Sequence, residues 1–219
     1  MLHPTVAATT RLAIMRAMYI YNTVKIGNQC WLQQNLKSTK YNDGENIPHK
    51  PLPYDWTYYN TPGYCWYNNN QAIGNVYGAL YNFYAVETGK LCPIGWHVAS
   101  DAEWQSLELF LGIDDTNTYG WRGTDAGGKL KETGTAHWNT PNTGADNSTF
   151  FTALGGGRRD MDYTFETAPF GELKQYGSFW TSTVAVGFSY FRKLGYDNSG
   201  IMRAQQDMHS GSSVRCIRD

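Results

Sequence analysis

A chain of 219 residues with 41% hydrophobic and only 17% charged side chains is globular and long enough to bury a substantial core. Its formal net charge of -1 offers no basic field to a polyanion, which sets nucleic acid aside as a partner, and no stretch approaches the ~20 apolar residues that span a bilayer. Aromatic residues reach 15%, with 23 Gly alongside, a profile that suits a loop-rich fold held by aromatic plugs better than a helical bundle.

Residues 1–18 form a lead segment with a broken apolar run and no convincing signal-peptide core, ahead of one domain over 19–219. Residues 19–26 alternate as a strand does, Gly27-Asn28 turns the chain, and Gln29–Leu32 continues it. Residues 42–75, rich in Asn, Pro, Gly and Tyr, predict a long irregular region anchored by Trp56, Tyr58, Trp66 and Tyr67. Tyr77, Leu80, Tyr81 and Tyr84 share one face of a predicted helix that Gly89 stops. A second helix starts at Ser100, where Glu103 completes a capping box, and runs along Trp104, Leu107 and Leu111 to Gly112. Beyond it, Gly127-Gly128, Asn139–Asn142 and Gly155–Gly157 predict turns, and short strands are expected at 149–154, 178–183, 188–196, 200–206 and 212–218. Helices in the middle and an antiparallel sheet at the end make an α+β fold.

The last forty residues carry the functional signal. A segment that only closed a core would alternate Val, Ile and Leu; this one alternates large amphipathic side chains of the kind that supply rigid contact area and adaptable hydrogen bonds. Tyr190, Arg192, Tyr196, Asn198, Arg203, Gln205 and Asp207 are the expected ligand contacts. The competing expectation is an ordinary polar outer face of a closing sheet. A single bulge would exchange inward and outward residues.

Other chemistry is weakly signalled. His97 and His137 read as hydrogen-bonded structural histidines, and no Ser, His and carboxylate set forms a nucleophilic triad. Asp160, Asp162 and Glu166 are carboxylates able to serve as acid and base, of a kind any such domain offers by chance. Gly155–Gly157 with Arg158-Arg159 lacks the Lys-Ser/Thr of a phosphate loop. Cys30, Cys65, Cys92 and Cys216 contain no C-x-x-C pair and allow three complete pairings; with no export signal, reduced buried thiols are the residue-level expectation.

The runs TVKIGNQCWLQQNLKSTKYNDGENIP (23–48), YCWYNNN (64–70), YGALYNFYAV (77–86), CPIGWHVASDAEWQSL (92–107), GGKLKETGTAHWNTPNTGADNSTFFTALGGGRR (127–159), FWTST (179–183) and SVRCIRD (213–219) together resemble the Fibrobacter succinogenes major paralogous domain. The resemblance implies a C-type-lectin-like fold, close to the formylglycine-generating enzymes, in which the C-terminal strands return beside the N-terminal one. It implies surface or secreted bacterial proteins, and in related folds the variable proteins of diversity-generating retroelements. It further implies a disulfide between Cys92 and Cys216. Ala99, Gly155, Met202, Ala204 and Met208 depart from the family's usual residues, the last three within the expected contact surface.

Formylglycine-type chemistry needs two reactive cysteines close together, whereas only Cys216 lies in the C-terminal region. Trp138-Asn139-Thr140 and Thr140-Pro141-Asn142 lack the carboxylates of a sugar-binding calcium loop. Asn139, Asn142, Asp146 and Asn147 still offer oxygens hard enough for a structural calcium ion, though Asn and Asp also shape turns unaided. No other cofactor is expected. The reading is a non-enzymatic receptor- or adhesin-like module of a cell surface, secreted protein or virion. It recognises a protein or glycan through 188–209, with no insertion into a membrane. The alternative is an enzyme of the formylglycine-generating superfamily or a carbohydrate-active surface protein.

Overall fold

The computed structural model describes residues 10–12, 19–161 and 169–219, with side chains in the last two spans. Strands β1 (Thr10–Leu12), β2 (Tyr21–Ile26) and β3 (Gln29–Leu32) open the chain. A long irregular stretch holds α1 (Tyr54–Thr57), β4 (Tyr64–Cys65), α2 (Gln71–Tyr77), β5 (Leu80–Tyr81) and α3 (Phe83–Glu87). Then come β6 (Trp96–Val98), α4 (Asp101–Phe110), β7 (Gly120–Arg122) and α5 (Ala126–Leu130). The C-terminal part adds β8 (Gly156–Arg159), β9 (Phe170–Leu173), β10 (Tyr176–Ala185), β11 (Phe188–Gly195), β12 (Ile201–Asp207) and β13 (Cys216–Arg218). The α+β class stands. One sheet has the order β1-β2-β3-β13-β6, so the last strand returns beside the N-terminal ones; a second has the order β7-β12-β11-β10-β8-β9, and β4 pairs with β5 in a third. Thr10–Leu12 of the lead segment pairs with β2; the other lead residues, and Asp162 and Glu166, lie outside the described residues.

Helix α4 forms where its cap and apolar stripe place it. Ser100 accepts from the Glu103 N–H, and the Glu103 carboxylate accepts from the Ser100 N–H. Trp104, Leu107 and Leu111 are buried. Trp104 packs on Phe179 of β10 while Phe83 of α3 packs on the adjacent Trp180, so the two helices cover opposite faces of the C-terminal sheet. Each face holds one apolar core.

Four local expectations are corrected. The helix expected through Tyr77–Tyr84 is two helices separated by β5, because Gly78 adopts φ 91 against Asn35 and Asn82 caps a fresh start. Residues 149–154 are not a strand: Phe150 and Thr152 take positive φ, and the Asn147 side chain captures the Thr152 N–H. Gly127-Gly128 lies inside α5, where a Cβ would stand 1.9–2.0 Å from the carbonyls of Gly200 and Gly144; Gly156-Gly157 pairs within β8. Of the four aromatic anchors, Trp56, Trp66 and Tyr67 are buried and Tyr58 is half exposed.

Buried cations gather the loops. Lys131 Nζ donates to the carbonyls of Thr143, Gly195 and Asn198 at 2.7–2.9 Å, and burial pulls its pKa down to about 8. Arg215 donates to Leu32 O, Phe151 O, Thr152 O and Asn35 Oδ1; burial pulls it to about 9, still protonated at neutral pH. One long cation thereby satisfies several carbonyls that no ladder reaches.

His97 is held between Asp219 Oδ1 at Nδ1 (2.6 Å) and Glu103 Oε1 at Nε2 (2.7 Å). Burial disfavours the imidazolium, but the hydrogen bonds to Asp219 and Glu103 outweigh it and raise the pKa. A raised pKa stabilises the fold fully below the unfolded value of about 6.5, and that contribution is lost as pH rises through the folded value. We expect wild type to exceed His97→Ala in thermal stability by no more than about 1 kcal/mol near pH 6, the pair being partly exposed. Paired melts should show the gap closing by pH 9; a gap that widens would contradict the sign.

Candidate ligand-binding site

The β11–β12 register places Phe188 opposite Asp207, Tyr190 opposite Gln205, and Arg192 opposite Arg203. Cross-strand partners share a face, and the bonds of Arg192 and Arg203 to Asp101 turn the face of Tyr190 and Gln205 toward α4 as well. Phe191, Lys193, Met202, Ala204 and Gln206 look the other way.

Arg192 and Arg203 do not reach solvent, which corrects their expected role as contacts. Arg192, 0% exposed, donates from Nη1 to Asp101 Oδ1 at 2.7 Å and from Nε to Glu108 Oε1. Arg203 donates from Nη2 to Asp101 Oδ2 (2.8 Å) and from Nη1 to Asn117 O (2.6 Å). Arg122 on the neighbouring strand forks onto both Glu108 oxygens at 2.9 Å. Burial would raise the Asp101 carboxyl, but the guanidiniums of Arg203 and Arg192 hold it below its ordinary range. Three guanidiniums and two carboxylates thus lock α4 to three strands. Five fixed donors let an arginine do this without water.

Above that base Tyr190 stacks on Tyr119, ring centroids 6.0 Å apart and planes at 24°. The Tyr119 hydroxyl donates to that of Tyr190 at 3.1 Å, and Gln205 Nε2 donates to the Tyr119 oxygen at 2.7 Å. The Arg203 guanidinium lies under both rings, 4.3 Å from Tyr190 and 4.9 Å from Tyr119. The hydrogen bond from Tyr119, then Gln205 and Arg203, lowers the Tyr190 pKa. Tyr119 is 51% exposed, and the β10–β11 hairpin beside Tyr190 exposes Val184, Val186 and Phe188, Val186 at 99%. The sequence reading took in Phe188 within 188–209 but missed Tyr119, Val184 and Val186; only a hairpin assignment ending at 184–188 would have drawn attention to the last two.

The remaining predicted contacts lie elsewhere. Asp207 ends β12 and accepts from His209 N and Nδ1, while His209 Nε2 faces Asn60 Oδ1 at 2.8 Å. Tyr196 and Asn198 lie at the far end of the β11–β12 hairpin. Tyr196 is half-buried against the core, and Asn198 Oδ1 accepts from Gly200 N to shape the turn.

The cysteines divide as the resemblance implies: Cys92 and Cys216 are bonded with Cα atoms 5.9 Å apart, while Cys30 and Cys65 are free. Burial pushes the Cys65 thiol up to about 12, far from a reactive thiolate. Asn142 Nδ2 donates to Glu132 O and Gly134 O, Asp146 Oδ1 accepts from Ser148 N, and Asn147 Oδ1 accepts from Thr152 N, so this stretch builds its own turns. Among the described residues no three His, Cys, Asp or Glu side chains group as metal ligands. No helix there is long and apolar enough to cross a membrane.

A model of the Fibrobacter succinogenes major domain matches residues 24–218. No curated protein and no solved structure matches the chain.

Proposed function

The chain belongs to the Fibrobacter succinogenes major domain family, and from that premise we propose a non-enzymatic ligand-binding module of C-type-lectin-like architecture. Its place is a cell surface, a secreted protein or a virion. The observation that carries the proposal is the Tyr119–Tyr190 stack, with Gln205 and the apolar hairpin tip beside it, standing on a buried ionic base. Rigid aromatics lose little entropy on binding, and an exposed Val184, Val186 and Phe188 favour a protein surface over a glycan as the partner. The Cys92–Cys216 bridge suits an oxidising compartment. Retroelement diversification belongs to the same reading, since Phe188 and Gln205 stand outside the Arg192–Asp101–Arg203 base, and Tyr190 meets it only through its ring over Arg203; a reverse transcriptase beside a near-copy of the 180–212 coding segment would support it.

The test is binding of fluorescently labelled protein to a panel of bacterial cells, untreated, protease-treated or periodate-treated. We expect saturable, protease-sensitive binding that weakens at least ~30-fold, about 2 kcal/mol, in Tyr119→Ala/Tyr190→Ala with unchanged melting. Periodate-sensitive binding would move the ligand to glycan. Full binding by the double variant, or none by wild type, would overturn the proposal.

A further inference from the structure

The face of the C-terminal sheet turned away from Tyr190 carries a row of side chains across all six strands. Its members are Trp121 on β7, Met202 on β12, Lys193 on β11, Ser178 on β10, Arg158 on β8 and Glu172 on β9. The strand register aligns the first four directly, Met202 with Trp121, Lys193 with Met202 and Ser178 with Lys193. Gly157 pairs with Gly177, which brings Arg158 beside Ser178 on the same face. Glu172 joins through a positive φ of 66° that breaks the alternation of β9.

The row has a charged half and an aromatic half. Lys193 Nζ lies 3.0 Å from both Glu172 oxygens, and Arg158 Nε lies 2.9 Å from Asp160 Oδ1 and 3.3 Å from Glu172 Oε2. Two cations and two carboxylates leave no net charge, and all four are at least partly buried. On the other side Trp121 and Tyr176 have ring centroids 6.5 Å apart, and Lys193 Nζ stands 4.5 Å over the Tyr176 ring. Gly195 leaves these rings room: a Cβ there would lie 3.1–3.2 Å from both. Beneath the charges Ser178 is fully buried, and its Oγ has no hydrogen-bond partner among the described residues.

A buried hydroxyl without a partner costs stability, and a tryptophan 38% exposed beside half-buried charges leaves apolar and polar surface facing solvent side by side. We infer that this face is a second binding site and that its ligand is a neutral saccharide. A pyranose ring presents an apolar C–H face to Trp121 and Tyr176, while its hydroxyls, each donor and acceptor, meet the Lys193, Glu172, Arg158 and Asp160 groups. A charge-balanced quartet attracts neither anion nor cation, which favours an uncharged, hydroxyl-rich ligand over a phosphate or a basic peptide.

Trp121 makes the test specific, because the other seven tryptophans are buried. The probes are cellohexaose, xylohexaose, maltohexaose and mannohexaose, with dextran sulfate as the charged comparison, titrated against the full chain while tryptophan emission and acrylamide quenching are read. At least one neutral oligosaccharide should produce a saturable change in emission and shield the exposed tryptophan from acrylamide. Trp121→Ala should abolish the signal, and calorimetry should show binding weakened at least tenfold in Trp121→Ala and in Glu172→Gln. Tyr119→Ala/Tyr190→Ala should bind the oligosaccharide as wild type does, so the two sites fail separately. Absence of a response to every neutral probe, a response to dextran sulfate alone, or wild-type calorimetric affinity in Trp121→Ala would overturn the inference. Trp121 is exposed, so its variant is expected to fold, and an unchanged melting curve establishes that.

Discussion

Replacing Cys92 and Cys216 together by Ala should lower unfolding stability by about 4–5 kcal/mol. The two residues are 124 apart in sequence, so the bridge restrains most of the C-terminal chain when the protein is unfolded. In the chain-entropy account the cost of opening a ring grows with its length, and a ring of this size lies near the top of the usual range. Native geometry adds to the effect. Cys216 begins β13, which pairs with β6 on one side and β3 on the other, and both sulfurs are buried in the core that includes Trp96 and Val98. Urea titration of the double variant reads the loss directly, and a larger dependence of free energy on urea is expected because the open unfolded chain exposes more surface. A loss below about 1 kcal/mol would show that the bridge does not act by restraining the unfolded chain.

Glu108→Ala should cost about 3–5 kcal/mol, because it strands buried positive charge. Glu108 is fully buried and receives Arg122 through two hydrogen bonds and Arg192 through a third. Without it Arg122 loses its carboxylate partner, and Arg192 and Arg203 are left with Asp101. In a chain of this length that corresponds to a fall in melting temperature on the order of 10 °C. Glu108→Gln keeps the shape and removes the charge; a loss close to that of the Ala variant would assign the effect to charge, a small one to packing. The consequence reaches the surface. Arg203 supports the Tyr119–Tyr190 stack and shares Asp101 with Arg192, so a rearranged base should also weaken binding at the tip.

The elements that local chemistry dictates were legible. The Ser100–Glu103 box and the Trp104, Leu107, Leu111 stripe mark α4, and alternation marks β2, β10, β11 and β12. Where the expectations failed, a distant contact had overridden a local pattern. Tyr77 to Tyr84 has helical spacing, yet Leu80–Tyr81 pairs with Tyr64–Cys65 and breaks the helix. Phe150 to Thr152 has strand composition, yet its backbone carbonyls are drawn onto Arg215.

The candidate site divides along the same line. That a dense set of large amphipathic residues occupies 188–209 follows from residue order alone, because composition and alternation are properties of the chain. Which of them meet solvent does not, since Arg192 and Arg203 look like surface residues until Asp101 and Glu108, some 90 positions away in sequence, arrive on α4 to neutralise them. Tyr119 joins the site from another loop for the same reason. A strand's alternation assigns residues to two faces, but only the element packed on each face, carrying its own charges, decides which face is core and which is free to bind.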